Sequence, residues 1–128
     1  MTIETTDYNT KVVQKTFTQA ANVGAVNAFT IAGNVLIEAV IIRMTTYHAN
    51  MTSLVVTAGA GDVVDLIDVA EGAAANLNAA DKQVAWEGAV ELGAGKVIKT
   101  TGAGAGAGSI TFTMTVRYRQ CTTDGYVG

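Results

Sequence analysis

The chain has 128 residues, 49% of them hydrophobic and 15% charged, with a formal net charge of -3. It is too apolar for a disordered segment, yet no run reaches the roughly 18 apolar residues of a membrane span. Its lysines and arginines are scattered, not clustered as on a nucleic-acid surface, so neither nucleic acid nor membrane is expected as a partner and protein is.

A chain of this length makes one domain and buries roughly two thirds of its extended surface. Met1-Thr2-Ile3-Glu4 lacks the basic start and apolar block of a secretion signal, so synthesis in the cytoplasm is expected. Fourteen glycines and no proline leave glycine, asparagine and threonine to punctuate the chain.

In chain order, Val12 to Thr18 alternates loosely, and Phe29 to Ile31 is a short apolar piece ended by Ala32-Gly33-Asn34, a turn signal. Next comes Val35 to Met44. Read as an unbroken strand, it puts Val35, Ile37, Ala39 and Ile41 on one face and Leu36, Val40, Ile42 and Met44 on the other. A sandwich covers only the inner face of each sheet, so a strand apolar on both sides calls for further cover. This makes the protein a homo-oligomer, with Leu36, Val40, Ile42 and Met44 as the candidate interface.

Ser53 to Ala58 and Val63 to Val69 read as strands, and Glu71 to Asp81 as either a helical turn or a loop. Val84 to Leu92 and Lys96 to Thr101 follow, separated by Gly93-Ala94-Gly95. The last strand alternates strictly: Ile110, Phe112, Met114, Val116 and Tyr118 on one face, three threonines with Arg117 and Arg119 on the other. Short strands, frequent turns and no crossover helix predict an all-β fold, an antiparallel β-sandwich or jelly roll. Residues 1–18 form an N-terminal arm or first strand, and residues 19–128 a single sandwich domain.

Chemical motifs are sparse. Gly93-Ala94-Gly95-Lys96 lacks both the first glycine and the Ser/Thr of a Walker loop. In "TGAGAGAGSITFTM" the glycines stand at even positions, so none are five apart as G-x-G-x-x-G requires. The tract also runs into a strand where a dinucleotide loop would open a helix. Gly102 to Gly108 is therefore read as a flexible connection. Asp62, Asp65 and Asp68 have the oxygen chemistry of a calcium site, but strand spacing would point Asp65 away from its neighbours. His48 and Cys121 are the only residues of their types and lie far apart. With no nucleophile, base and oxyanion donors assembled, no enzyme, cofactor or metal is expected. Arg117 and Arg119 are the candidate docking face for an acidic partner.

The segments "FTIAGNVLIEAVIIRMTTYHANMTSLVV", "DVVDLIDVAEG" and "GSITFTMTVRYRQCTTDGYV" together resemble small structural proteins of tailed bacteriophages. The pattern shared is an opening Phe-Thr-Ile strand, a long apolar strand ending in Thr-Thr, an Asp-Leu strand and a closing Gly-x-Ile strand. The chain departs from it by lacking proline and by its Gly-Ala repeats. The resemblance implies a β-rich, trimeric virion protein, made in the host cytoplasm, and carries over no functional residue. Two readings follow. One is a capsid decoration protein that binds the major capsid protein or another virion protein. The other is a receptor- or glycan-binding module of a tail fibre or spike, which would need an exposed aromatic platform near Tyr47, Trp86 or Tyr126.

Overall fold

The computed structural model describes residues 10–59 and 64–128. Within them the chain forms β1 (Thr10–Ala20), β2 (Gly24–Ala32), β3 (Val35–Thr46), β4 (Met51–Gly59), β5 (Val64–Ile67), the short helix α1 (Ala74–Leu77), β6 (Gln83–Leu92), β7 (Val97–Gly104), β8 (Ser109–Gln120) and β9 (Tyr126–Val127). The strands build two sheets, ordered β1-β8-β3-β6 and β5-β4-β7-β2-β9, and every pairing is antiparallel. The fold is thus the all-β class predicted, an antiparallel sandwich or jelly roll. Of the strands consecutive in sequence, only β4 and β5 pair with each other; the other steps cross from one sheet to the other. The division expected between residues 18 and 19 falls inside β1, which pairs with β8 from Thr10↔Arg119 to Ala20↔Ser109.

The alternation of β8 translates directly into packing. Ile110, Phe112, Met114 and Val116 are fully buried, and the intervening threonines lie on the outer face. Phe112 stacks on Phe17 of β1 at 5.5 Å between ring centroids, and Phe17 meets Phe29 of β2 edge-on at 6.0 Å, so one aromatic chain ties both sheets. Burying a side chain of this size contributes about 1.5–3 kcal/mol.

β3 departs from its predicted phase. Between Ile37 and Ala39 its register slips against both neighbours. Relative to β8, Glu38 is an extra residue in β3, whereas on the other side Gly88 and Ala89 of β6 stand against Glu38 alone, so there the extra residue is in β6. Beyond this bulge the faces exchange. Val35, Ile37, Val40, Ile42 and Met44 all point into the core at 0% exposure, and Leu36, Ala39 and Ile41 share the outer face. The strand keeps its apolar residues, but most serve this chain's own core.

Candidate functional site

The outer face of the four-stranded sheet carries Arg117 and Arg119, singled out from the sequence as a docking face, together with Leu36 of the candidate interface. On β1 and β8, Thr16 stands opposite Thr113 and Thr18 opposite Thr111, with the Thr18 and Thr111 hydroxyls 3.0 Å apart. Gln14 Nε2 donates to Thr115 Oγ1 at 2.8 Å. These cross-strand pairs fix a polar surface without charge. Further along β8 the surface becomes basic. Arg119 Nε donates to Glu38 Oε1 at 3.1 Å and Oε2 at 3.3 Å, so the bulge residue of β3 neutralises it. Arg117 is exposed and has no ion pair among the described residues. The pair predicted as one docking face is therefore unequal: Arg119 is committed to Glu38, and Arg117 faces solvent as a cation.

Val40, Ile42 and Met44, placed by sequence reasoning on the candidate oligomer interface, lie in the core among Phe112, Met114 and Val116. Only Leu36 of the four is on the outer face, where Ile41, assigned from sequence to the opposite side, joins it half-buried. The signal that could have found this is Glu38 itself, a carboxylate inside an apolar run and on the face assigned to the interface.

The Gly-Ala tract is not slack. Its first half belongs to β7, where Gly102 pairs with Gly24 and Leu54, Ala103 with Ser53 and Gly104 with Met51. Its second half is held by the turn after β3. Ala105 N donates to Asn50 O at 2.9 Å, and Asn50 Nδ2 donates to Ala107 O. Asn50 N in turn donates to His48 Nδ1 at 3.1 Å, and Ala21 N donates to Gly108 O at 2.6 Å. A Cβ on Gly104 would fall on the Asn50 carbonyl oxygen. One on Gly108, whose φ is +146°, would fall on the His48 ring. The glycines thus serve close backbone approach, which no side-chain periodicity encodes. Gly93-Ala94-Gly95 is a turn between β6 and β7, with Lys96 N donating to Gly93 O, and opens no helix.

Asp62 lies outside the described residues. Asp65 is exposed on β5, and the Asp68 carboxylate accepts from Glu71 N at 2.8 Å, the geometry of a turn cap. Among the described residues no group of three or more His, Cys, Asp or Glu is placed to hold a metal ion. Cys121 is exposed, and its thiol pKa is raised by partial desolvation and, secondarily, by the charge of Glu91. A cleft of about 200 Å³ beside the start of β5 and the end of β6 is lined largely by Ala58, Val64, Val90 and Leu92, with Glu91 and Lys96 as its charged members.

The three aromatics do not form a platform. Trp86 points inward from β6 and Tyr47 donates through its hydroxyl to Met51 O, both packed against the core, whereas Tyr126 is 58% exposed on β9 in the other sheet. No helix among the described residues is long and apolar enough to cross a membrane.

No protein-family model and no curated protein matches the chain. Among solved structures, a chain of the cyanophage Pam1 capsid asymmetric unit superposes with a TM-score of 0.56 at 11% identity, covering 87% of this chain and 84% of that one. The acid-stable capsid of Helicobacter pylori bacteriophage KHP30 follows at 0.46 and 12%, covering 93% and 98%, and the infectious bursal disease virus VP2 subviral particle at 0.45 and 12%, covering 95% of this chain and 40% of that one. The fold read from the sequence as that of a small β-rich phage structural protein is shared with a chain of a phage capsid.

Proposed function

We propose that this protein is a non-enzymatic virion component: a capsid decoration protein that assembles as a homo-oligomer, with a trimer preferred, and docks on the major capsid protein. One observation carries the reading. The Pam1 neighbour is a capsid chain matched over similar shares of both chains, and hence of about this length. A protein of this size on a capsid suits an accessory layer better than the shell itself. The interleaved strand order of the sandwich supports this reading, since it fits a jelly roll built of two Greek keys, an architecture found in viral capsids.

Docking is assigned to the outer face of the four-stranded sheet, through Arg117 and Arg119 with Leu36 and Ile41 beside them. The threonine pairs offer fixed hydrogen-bonding groups there, and the free charge of Arg117 steers an acidic partner. Neither step uses a metal. The test is binding of purified protein to particles that lack it. Arg117→Glu/Arg119→Glu should weaken binding and EDTA should leave it unchanged. Undiminished binding by the double variant would move the docking face elsewhere, and loss of binding in EDTA would overturn the metal-free mechanism.

A further inference from the structure

The two sheets treat their edges differently. The five-stranded sheet ends in β5, of four residues, and β9, of two, so little backbone is left open to a new strand. The four-stranded sheet ends in β1, of eleven residues, and β6, of ten. Among the described residues β1 pairs with β8 alone and β6 with β3 alone, so each offers a long row of backbone donors and acceptors on its far side.

The charges on these two edges are opposite. β1, TKVVQKTFTQA, carries two lysines and no acid. Lys15 turns inward, its Nζ donating to Ala28 O and lying over the Phe29 ring. Lys11 is exposed at the edge on the side of its partner Tyr118, while Arg117 lies one strand in on the outer face, directly across from Val12. β6, QVAWEGAVEL, carries Glu87 and Glu91 and no base. Both glutamates stand on the outer face, level with Ala39 and Leu36, the face that also holds Arg117. Two β1 edges would set lysine against lysine and two β6 edges glutamate against glutamate. Only the unlike pair is attractive.

Strand direction favours the same pair. β1, β8, β3 and β6 alternate in direction across the sheet, so β1 and β6 run opposite ways. A second copy added edge-on in the same orientation therefore brings its β6 antiparallel to β1, continuing the ladder without a break. It would also cover Val12, 66% exposed at that edge. Two strand spacings of about 4.8 Å separate its glutamates from Arg117, a distance these long side chains span between them.

We infer that copies of this chain associate head to tail, β1 of one against β6 of the next, through backbone pairing selected by the charges of Lys11 and Arg117 against Glu87 and Glu91. Such a contact is heterologous and closes into a ring when its rotation permits. The inference rests on the homo-oligomer proposed above and specifies its interface.

The experiment measures mass by light scattering for the wild type, Glu87→Lys/Glu91→Lys and Lys11→Glu/Arg117→Glu, each alone and the two variants mixed. Each variant alone should require at least about tenfold more protein to associate than the wild type, and the equimolar mixture should regain association. Val12→Glu, at an exposed position that folding does not depend on, should weaken association as well. Wild-type mass for any of these variants alone, or a mixture that fails to associate while both variants melt like the wild type, would overturn the edge pairing and leave the oligomer standing. A wild type that stays monomeric would overturn both.

Discussion

The two sheets of this sandwich are stabilised by different means. In the four-stranded sheet the side chains dominate: β8 and β3, strands of twelve residues each, send large aliphatic and aromatic groups inward, while β8 turns threonines and arginines outward and β3 turns Leu36 and Ile41 outward beside Glu38 and Arg43. In the five-stranded sheet backbone proximity carries more of the load, since β7 ends in Thr-Gly-Ala-Gly and packs against the Ala21 and Asn50 carbonyls with almost no side chain between. The first sheet therefore tolerates change on its surface and not in its core. The second is sensitive at positions that carry no side chain at all.

The sharpest test of the side-chain half is Phe112→Ala. It empties a fully buried site and removes the stack with Phe17, so unfolding in urea should show a loss of about 3–5 kcal/mol. A loss under 1 kcal/mol would mean that the two sheets do not depend on this aromatic chain. The backbone half is tested by Gly108→Ala, which combines a left-handed φ with contact against His48 and should cost about 2 kcal/mol or more. Gly106→Ala meets only the flexible end of Asn50 and should stay within about 0.5 kcal/mol. Equal effects at the two glycines would restore the view of the tract as mere slack.

A smaller effect is expected on the outer face. Glu38→Gln removes a half-exposed ion pair with Arg119 and should cost about 0.5–1 kcal/mol at low salt, the difference shrinking in molar salt. The least costly test is chemical. Desolvation and the nearby Glu91 both disfavour the Cys121 thiolate, so alkylation at neutral pH should be slower than for an unstructured cysteine. Glu91→Gln removes the second cause and should shift the rate-against-pH curve to lower pH. An unmoved curve would remove Glu91 as a neighbour of the thiol.

The legibility of the sequence divides along the same line. β8 could be read residue by residue because strict alternation is a property of side chains, and the fold class followed from several strands of that kind. β3 was misphased because a bulge changes the count without changing composition, and Glu38 was the sole mark of it. The Gly-Ala tract was misread as slack because close backbone contacts with Ala21 and Asn50 depend on which distant segments the fold brings near. Gly24–Ala32 extended well past its apolar Phe29 to Ile31, since pairing with β7 needs no large side chain at Gly24 or Ala25. Of the candidate site, the polar face of β8 was legible. That Arg119 is neutralised and Arg117 is not was invisible, because the partner comes from the bulge.

The pairing of β1 with β8 has a consequence for how the chain reaches this state. Thr10 and Arg119 are partners from nearly opposite ends of the sequence, so the first strand made on the ribosome cannot dock until the last long one has emerged. Until then Phe17 has no Phe112 to stack on and β1 is an unsatisfied strand. Contacts of such wide sequence separation make folding slow, in the range of milliseconds to seconds for all-β domains. With no proline anywhere in the chain, no peptide-bond isomerisation adds a phase of tens of seconds. A slow refolding phase that does not change with protein concentration would therefore report topology, and one that does would report assembly of copies.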